Sequence, residues 1–449
     1  MLTPDQAKDI AQKLVAQAVR SGATAADAML AVELSSNVQV RLGELEDVGR
    51  SEGQDIGLRV FVGQRSASVA SADMRQPALD ALVERAVAMA REAPEDPYAG
   101  LAPPELLVRG DVPDIDGWDD RPEPDPAVLR ALALAAEDAA RGVPGVSNSG
   151  GGGAGASAST IALATSDGFA RAYRSSGYSC SVSVIAGEGG EMQRDYAFDS
   201  VRHFDDLEAP EAIGLRAGQR TAARANPGKP AAGKYPILFD PRVASSLLGH
   251  FTAAINGSSV ARGTSFLGDK LDQAIFARGV TIRDEPLRRR GLRSRPFDGE
   301  GLPVRDIDLV SDGHLTSWLA DSAAARQLGI APTGHAMRGI GGAPGAGPSN
   351  LVMLAGPRSR EELLAAYPEA ILVTELIGMG VNGVTGDYSR GAAGFRVSGG
   401  AIAEPLSEFT IAGNLLQMFA MLEPGSDLER RRGIDAPTIL IPEMSVAAG

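Results

Sequence analysis

The sequence predicts a multi-domain α+β protein with antiparallel sheets in its N-terminal portions and a mostly β C-terminal domain. Its 449 residues correspond to about three domains at roughly 150 residues each. A helix, three extended stretches and a second helix come first, an order that suits an antiparallel meander. From Tyr235 onward, short apolar runs alternate with glycine-rich turns. We place an N-terminal α+β domain at 1–105, a central α+β domain at 106–228 and a β-rich domain at 229–449.

The first helix is predicted from its own capping chemistry. Thr3, Pro4 and Gln6 supply an N-cap, a first-turn proline and a capping-box partner, and Gly22 ends the helix. Extended stretches follow at 27–34, 38–48 and 55–69, with turn-forming residues predicted at 35–37 and 51–53. The alanine-rich stretch 75–91 carries one apolar stripe, so it predicts a second helix that covers one face of the sheet.

The second predicted domain begins after a proline-rich, acidic segment at 93–126, which is typical of a linker or a long exposed loop. A helix to Arg141, extended stretches at 146–167 and 169–185 and a helix at 208–225 follow. The tract 147–159 (SNSGGGGAGASAS) could be flexible, but its Ala/Ser alternation also suits a closely packed strand. We prefer the strand.

The third predicted domain contains short apolar runs and two helices, at 242–255 and 317–328. The predicted strands lie at 236–239, 280–282, 351–354, 370–376, 394–397, 401–402 and 438–441.

Charge and cysteine usage exclude several classes of protein. The formal net charge of −14 repels polyphosphate, so nucleic acid is not an expected partner. Cys180 is the one cysteine, which excludes an intrachain disulfide and a cysteine-based zinc cage and favours a reducing compartment. The N-terminus lacks the pattern of a secretory signal, and no run of 18 apolar residues occurs. We therefore expect a cytoplasmic protein with no membrane contact.

No standard catalytic signature stands out. Residues 378–383 satisfy G-x-G-x-x-G, but the following residues form turns rather than the helix that a dinucleotide requires. The sequence contains no H-E-x-x-H and no G-x-S-x-G. Cys180 lies in a strand-like stretch without a basic neighbour, so a small buried residue is the preferred interpretation. The histidines are far apart in sequence, which favours surface or hydrogen-bonded core positions; they are His203, His250, His314 and His335.

Arginines are concentrated between Arg283 and Arg295, where six of them occur. Because few aromatic residues lie among them and the chain is acidic, nucleic-acid binding is not favoured. A solvated face, or a subunit interface that pairs with carboxylates, is the preferred interpretation.

Five stretches carry a resemblance to a known family. They are 295–303 (RPFDGEGLP), 329–338 (GIAPTGHAMR), 373–395 (VTELIGMGVNGVTGDYSRGAAGF), 407–414 (SEFTIAGN) and 440–446 (LIPEMSV). They resemble the TldE/PmbA branch of the TldD/TldE family, also labelled modulators of DNA gyrase, and the third stretch is specific to that branch. The resemblance covers essentially the whole chain. It implies a role beside TldD, with which TldE forms a peptidase that trims unfolded peptides, including microcin precursors and an antitoxin.

The resemblance also implies that this chain lacks zinc. TldD binds zinc through H-E-x-x-x-H on a helix and a cysteine near the C-terminus. With the apolar pair at 247–248 aligned, Gly249 replaces the first histidine, His250 the glutamate and Ala254 the second histidine, and no cysteine follows Cys180. Glycine and alanine have no donor atoms. We therefore expect no catalytic residue, metal or cofactor in this chain, and zinc only in a TldD-type partner.

The leading hypothesis is a subunit that helps to form a peptide chamber and supports the catalytic TldD-type subunit, with a homodimer as the alternative when the chain is alone. Extended peptides could pair with a strand edge. Candidate peptide contacts are Asp387, Tyr388 and Arg390, in the glycine-rich segment.

Two other hypotheses come from different classes. One is an autonomous non-zinc peptidase using Asp298, Glu300 or His335, which predicts chelator-resistant activity of the isolated chain. The other is a regulatory protein that binds DNA gyrase, which predicts binding by the pure chain.

Overall fold

The N-terminal half of the chain forms one six-stranded antiparallel sheet covered by four helices. In the computed structural model, residues 1–189 and 192–448 are described; Gly190, Glu191 and Gly449 fall within the predicted second and third domains but outside the described residues. The strands β1 to β6 are Ala25–Arg41, Glu44–Val62, Arg65–Ser71, Val146–Thr165, Ala170–Ala186 and Gln193–Val201. The helices α1 to α4 are Pro4–Arg20, Gln76–Glu92, Pro126–Arg141 and Pro210–Ala223, with short 3-10 turns at Pro104–Leu106 and Phe204–Asp206.

The strand order in this sheet is β3-β2-β1-β4-β5-β6. Strands from both sides of residue 105 therefore belong to one sheet, joined where β1 pairs with β4 from Asp27 to Val40. The predicted domain boundaries stay predictions.

One face of the sheet is covered by all four helices. The capping box between Thr3 and Gln6 starts α1, as predicted. Even-numbered residues of β1 point to the helices, because successive side chains of a strand alternate between faces. Leu30 packs in the cluster that contains α1 and α2, and Val40 packs in the cluster with α3. Helices α1 and α2 therefore cover one end of the long strands, and α3 and α4 cover the other end.

The predicted turns at 35–37 and 51–53 are wrong. Strands β1 and β2 run through both positions. The chain reverses instead at Leu42 and Gly43, whose φ angles are 53° and 83°, and at Gly63, with φ of 63°. Pairing of β1 with β2 and β4 satisfies the backbone on both sides, and this outweighs the local turn preference of Ser and Asn. Strand β6 was not predicted.

The glycine-rich tract is a strand, as preferred from the sequence. It forms the first part of β4 and pairs with both β1 and β5. Helix α3 lies so close that a Cβ at Gly152 would be 2.6 Å from the carbonyl oxygen of Ala133. Glycine is therefore required there by close backbone approach.

The C-terminal half is rich in β structure and contains a barrel. Its strands β7 to β19 are Gly233–Phe239, Ile282–Asp284, Ile307–Ser311, His314–Leu315, Ala336–Met337, Gly345–Ala346, Leu351–Met353, Glu369–Ile377, Asp387–Ser398, Ala401–Asn414, Glu423–Pro424, Ile434–Asp435 and Ile439–Ala448. Its helices α5 to α9 are Pro241–Ala254, Gly257–Ala261, Ser322–Leu328, Arg360–Leu364 and Leu415–Met421.

Five strands close the barrel in the order β16-β15-β14-β7-β19, because β19 also pairs with β16. A second sheet has the order β10-β9-β8-β13-β18. Helix α5 lies between the two sheets, and its residues Leu247, Leu248 and Phe251 join the largest apolar core. The predicted α+β class, with a mostly β C-terminal domain, is confirmed.

The C-terminal half packs on the second face of the six-stranded sheet. Phe297 meets Phe169 and Tyr173 edge to face, with ring centroids 5.1 and 5.4 Å apart. The proline-rich segment crosses this junction, where Val108 N–H donates to the Gly301 carbonyl at 2.9 Å. Among the helices of the described residues, none combines the length and apolarity needed to cross a bilayer.

Candidate functional site

Helix α5 carries the positions that the resemblance aligns with a zinc motif. It starts directly after β7, where the Asp240 side chain accepts the Arg242 N–H at 3.3 Å and Pro241 occupies the first turn. Its apolar side faces the core. Ser246 and His250, one turn apart, lie on a different side, so this side of α5 faces a polar region beside the barrel.

The aligned positions do not fit zinc. A Cβ at Gly249 would meet no other atom within 4 Å, while Ala254 is buried in the core at 4% exposure. His250 is the single potential donor of the three. Within residues 1–189 and 192–448, no three His, Cys, Asp or Glu side chains lie close enough to hold a metal ion. Structural and catalytic zinc sites need three or four ligands.

His250 packs against Tyr388 of β15. The two rings meet edge to face, with centroids 5.9 Å apart and planes at 77°. Burial lowers the pKa of His250, and the nearby charge of Arg390 lowers it further, so the imidazole is neutral at pH 7. Burial also raises the pKa of Tyr388, which is 1% exposed. The cluster formed by His250, Tyr388 and Arg390 is thus a neutral pair of rings beside one guanidinium.

The predicted peptide contacts differ in their placement. Asp387 is exposed, and its carboxylate accepts the hydroxyl of Thr385 at 2.7 Å and the amide of Asn414 at 3.3 Å. Tyr388 is interior. Arg390 is half-buried and lines a cavity of about 260 Å³ that Ser246 and Thr374 also line. Residues two apart in a strand share a face, so Tyr388 and Arg390 point to the same side while Asp387 points away.

Buried ion pairs hold β6 against this cavity. Asp195 of β6 accepts two bonds from Arg242, at 2.6 and 2.9 Å, and one from Arg224 at 3.3 Å. Arg224 also pairs with Glu375 of β14. Burial alone would oppose ionisation of Asp195, but the arginines hold its pKa below the usual range. The network therefore couples the six-stranded sheet to both α5 and the barrel.

Strand β6 forms an edge beside a row of cavities. It pairs with β5 on one side, and no second strand pairs with it among the described residues. Residues of β6 and its continuation line three cavities of about 360, 350 and 260 Å³ between the sheet and the C-terminal half. Tyr196 and Phe198 stack at 6.2 Å, and Arg242 and Arg432 lie over their rings at 5.9 and 4.9 Å. An extended chain would find unpaired main-chain groups here, beside aromatic and cationic side chains.

The residues of the autonomous-peptidase hypothesis organise loops. Asp298 accepts the N–H groups of Glu300 and Leu302, both at 2.9 Å, and of Ala336 at 3.2 Å. Glu300 accepts the N–H and hydroxyl of Ser322 at 2.8 and 2.6 Å. These bonds link two of the stretches that carry the family resemblance, so they favour a structural role for both carboxyl groups.

His335 is buried, with 3% exposure. Its Nδ1 lies 2.9 Å from the Thr333 hydroxyl and its Nε2 3.4 Å from Asp284. Asp284 in turn accepts both the N–H and the hydroxyl of Ser349, at 2.8 and 2.7 Å. His335 is thus a hydrogen-bonded core histidine.

Cys180 is a buried residue, as predicted. Burial raises the pKa of its thiol to about 12, which disfavours the thiolate form that nucleophilic attack and metal binding require. The arginine-rich stretch pairs with carboxylates of its own chain, and the predicted solvated face or subunit interface stays a prediction. Arg283 binds Asp308, and Arg290 binds Asp116 and Asp206.

Sequence reasoning missed Thr374, Asp195 and the edge strand β6. Thr374 lies at a bulge of β14, where pairing with β15 shifts between Val373 and Glu375. A threonine in an apolar strand gives no sequence signal for a site. Asp195 is one acidic residue among 57, and its arginine partners lie 29 and 47 positions away.

Comparison with known proteins identifies the family of this chain. Three family models match, described as PmbA/TldA metallopeptidase domain 1 at residues 26–90, central domain at 119–225 and C-terminal domain at 232–448. Metalloprotease PmbA of Escherichia coli is 38% identical over 414 residues, covering 92% of this chain and 89% of the relative.

Solved structures agree in fold. A structure from Bacteroides thetaiotaomicron, described as a candidate modulator of DNA gyrase, aligns over 100% of both chains with a TM-score of 0.92 and 26% identity. TldE from Thermococcus kodakarensis aligns over 97% of this chain and 99% of its own, with a TM-score of 0.86 and 20% identity. The matches together show that this chain belongs to the PmbA/TldD metallopeptidase family.

Proposed function

We propose that this chain is a zinc-less, TldE/PmbA-type subunit of a peptidase that degrades or matures unfolded peptides. In this proposal it helps to form the peptide chamber and supports a TldD-type partner, which contributes the zinc and performs hydrolysis. The chain needs no cofactor of its own and works in the cytoplasm, where its one free thiol stays reduced.

The residues at the zinc-ligand positions of α5 are the main support for the proposal. Gly249 and Ala254 have no donor atoms, and His250 faces Tyr388 rather than other ligands. A zinc-bound water needs several protein ligands to fix the metal and lower the pKa of that water. A member of a metallopeptidase family that lacks these ligands is best explained as a partner of a subunit that has them.

The edge of β6 supports the peptide part of the proposal. Its unpaired side lies beside three adjoining cavities, and an added strand would bind mainly through main-chain hydrogen bonds. Such binding accepts many sequences but requires an extended chain. This matches a substrate that is an unfolded peptide rather than a folded protein.

The test is peptidase activity on an unfolded peptide, measured with metal-analysed chain alone, TldD-type partner alone and the two mixed. Each is assayed with and without chelator. The expected result is chelator-sensitive activity that appears or rises strongly in the mixture, with no stoichiometric zinc on this chain. Chelator-resistant turnover by this chain alone would overturn the proposal and favour the autonomous peptidase.

A second measurement examines the partnership. Size determination of this chain, of the partner and of the mixture should show a mixed complex. A chain that stays a homodimer or monomer in the mixture, with unchanged activity of the partner, would argue against the supporting role.

A further inference from the structure

Four buried polar atoms lie at the junction of α5, β14 and β15 without a hydrogen bond of good geometry, although the side chains of Tyr388 and Arg390 interact with each other. They are His250 Nε2, Thr374 Oγ1, Tyr388 Oη and Arg390 Nε, and they make up half of the eight such side-chain atoms in the described part of the chain. A buried polar atom without a partner costs about 1–3 kcal/mol. Four in one place therefore point to a ligand rather than to chance.

Three of these four side chains donate hydrogen bonds. The two hydroxyls and the guanidinium Nε–H can all donate, while the neutral imidazole donates or accepts according to its tautomer. Thr374 and Arg390 line the cavity of about 260 Å³ directly. Tyr388 and His250 adjoin Arg390, whose charge acts on both rings. The ligand that suits this set is a hydrogen-bond acceptor.

The charge around the cavity favours an anion. Its lining contains four arginines and two carboxylates, which are Arg194, Arg224, Arg242, Arg390, Asp195 and Glu375. Asp195 pairs with Arg242 and Arg224, and Glu375 pairs with Arg224. Arg194 and Arg390 have no carboxylate within 4 Å among the described residues. Two positive charges thus remain uncompensated in a protein whose net charge is −14.

We propose that this cavity binds a carboxylate through Arg390 and Thr374, which line it, with Tyr388 packed beside Arg390. A guanidinium and hydroxyl groups are the usual partners of a carboxylate, and a charge-assisted bond is about twice as strong as a neutral one. The volume corresponds to that of roughly nine water molecules at about 30 Å³ each. The cavity therefore accommodates the terminal residue of a peptide or an acidic side chain.

The open position beside Gly249 contributes to this site. Because no atom lies within 4 Å of a Cβ built there, the helix leaves room next to His250. Of the residues on this side of α5, Ser246 lines the cavity, one turn before His250. The inference relies on the proposed function only for the peptide nature of the ligand.

The experiment titrates the isolated full-length chain with three unstructured peptides, followed by calorimetry. The first ends in a free carboxylate, the second is its C-terminal amide, and the third is the amide with one glutamate in place of a neutral residue. The free acid should bind about tenfold tighter than the amide. Tight binding of the third peptide identifies an acidic side chain as the source, and weak binding identifies the C-terminus.

Variants of the cavity residues, with a control on the same strand, test whether the carboxylate binds at this site. Arg390→Gln should remove the preference for the free acid, and Tyr388→Phe and Thr374→Val should reduce it severalfold. Arg396→Gln removes the same charge from the same strand, where Arg396 pairs with Glu404, and should keep the preference. Because Tyr388→Phe removes only one hydroxyl, this variant should stay folded, so a change in its preference can be assigned to binding.

Equal binding of acid and amide would overturn the inference, as would no binding of either at millimolar concentration or a preference that survives Arg390→Gln. Equal binding would mean that the cavity does not recognise a carboxylate. A failure of the proposed function can be distinguished from a failure of this inference. The proposed function is tested by hydrolysis in the mixture of the two subunits, whereas peptide binding is tested on the isolated chain. A chain that supports hydrolysis but does not distinguish acid from amide would refute only the carboxylate site.

Discussion

Asp27 and Arg338 form a buried ion pair between residues 311 positions apart in sequence. Asp27 lies on β1, and Arg338 ends one of the stretches that carry the family resemblance. Arg59 of β2 donates to the same carboxylate at 2.9 Å. Although burial opposes ionisation, the charges of Arg59 and Arg338 hold the pKa of Asp27 below its ordinary value. One carboxylate therefore joins the six-stranded sheet to the C-terminal half.

Asp27→Asn is expected to destabilise the protein strongly. It removes the carboxylate that both buried guanidinium groups bind directly, and Glu300 then remains as a counter-charge that neither of them binds. Breaking a buried pair in this way costs about 3–5 kcal/mol. The measurement is the shift in the urea unfolding curve at pH 7. Asp5→Asn, which removes an exposed pair with Lys8, is the control and should have no measurable effect. Similar behaviour of the two variants would contradict the buried network.

The sequence predicts those parts of the fold whose causes are local. The first helix follows from Thr3 and Gln6, and the order of helices and strands follows from periodicity. Barrel closure depends on pairing of β16 with β19, and the single sheet depends on pairing of β1 with β4. These contacts join residues far apart, and no local pattern encodes them.

The candidate site also combines features that the sequence predicts with features that depend on long-range contacts. The positions Gly249, His250 and Ala254 were found from the resemblance, and Tyr388 and Arg390 from a glycine-rich segment. That His250 meets Tyr388, and that Thr374 lines the same cavity as Arg390, depends on the packing of α5 against the barrel. The sequence gives the identity of these side chains, but hydrogen bonding of their polar atoms depends on the folded structure.

Glu300 should make the stability depend on pH. Burial raises the pKa of Glu300 to about 7 from an ordinary value of 4.5, and the charge of Asp298 acts in the same direction. Because the folded pKa lies above the unfolded one, the contribution of Glu300 is full below pH 4.5 and is lost as the pH rises through about 7. Glu300→Gln should therefore gain stability relative to the wild type over this range, by up to about 3 kcal/mol.

The measurement is urea unfolding of both proteins from about pH 3 to about pH 8. Glu208→Gln provides a control of opposite sign, since the hydrogen bond from Arg216 lowers the pKa of Glu208. Its contribution should be present at neutral pH and lost as the pH falls below about 4.5. Parallel pH profiles for wild type and Glu300→Gln would refute the raised pKa.

Removing an unpartnered hydroxyl should not harm the free chain. Thr374→Val and Tyr388→Phe each remove a buried oxygen without a hydrogen bond of good geometry, so the free energy of unfolding should stay the same or rise by about 1 kcal/mol. Thr438→Val is the matched control, because the Thr438 hydroxyl binds Asp427 at 2.6 Å and Arg360 at 3.0 Å. This control should lose about 1–3 kcal/mol. Comparable losses in all three variants would show that Thr374 and Tyr388 have partners within the fold.

The last prediction compares one glycine from each of two helices of equal length. Gly249→Ala in α5 should raise the free energy of unfolding by up to about 1 kcal/mol, because alanine favours the helix and the new Cβ meets no atom within 4 Å. Gly214→Ala in α4 should lower it by about 1–3 kcal/mol, because its Cβ would lie 2.2 Å from the Ala136 carbonyl oxygen. Thermal unfolding of both variants is the measurement, and equal shifts would contradict the open recess. A stabilised Gly249→Ala protein would show that packing does not require glycine beside His250, so the absence of a metal ligand there has a cause other than lack of space.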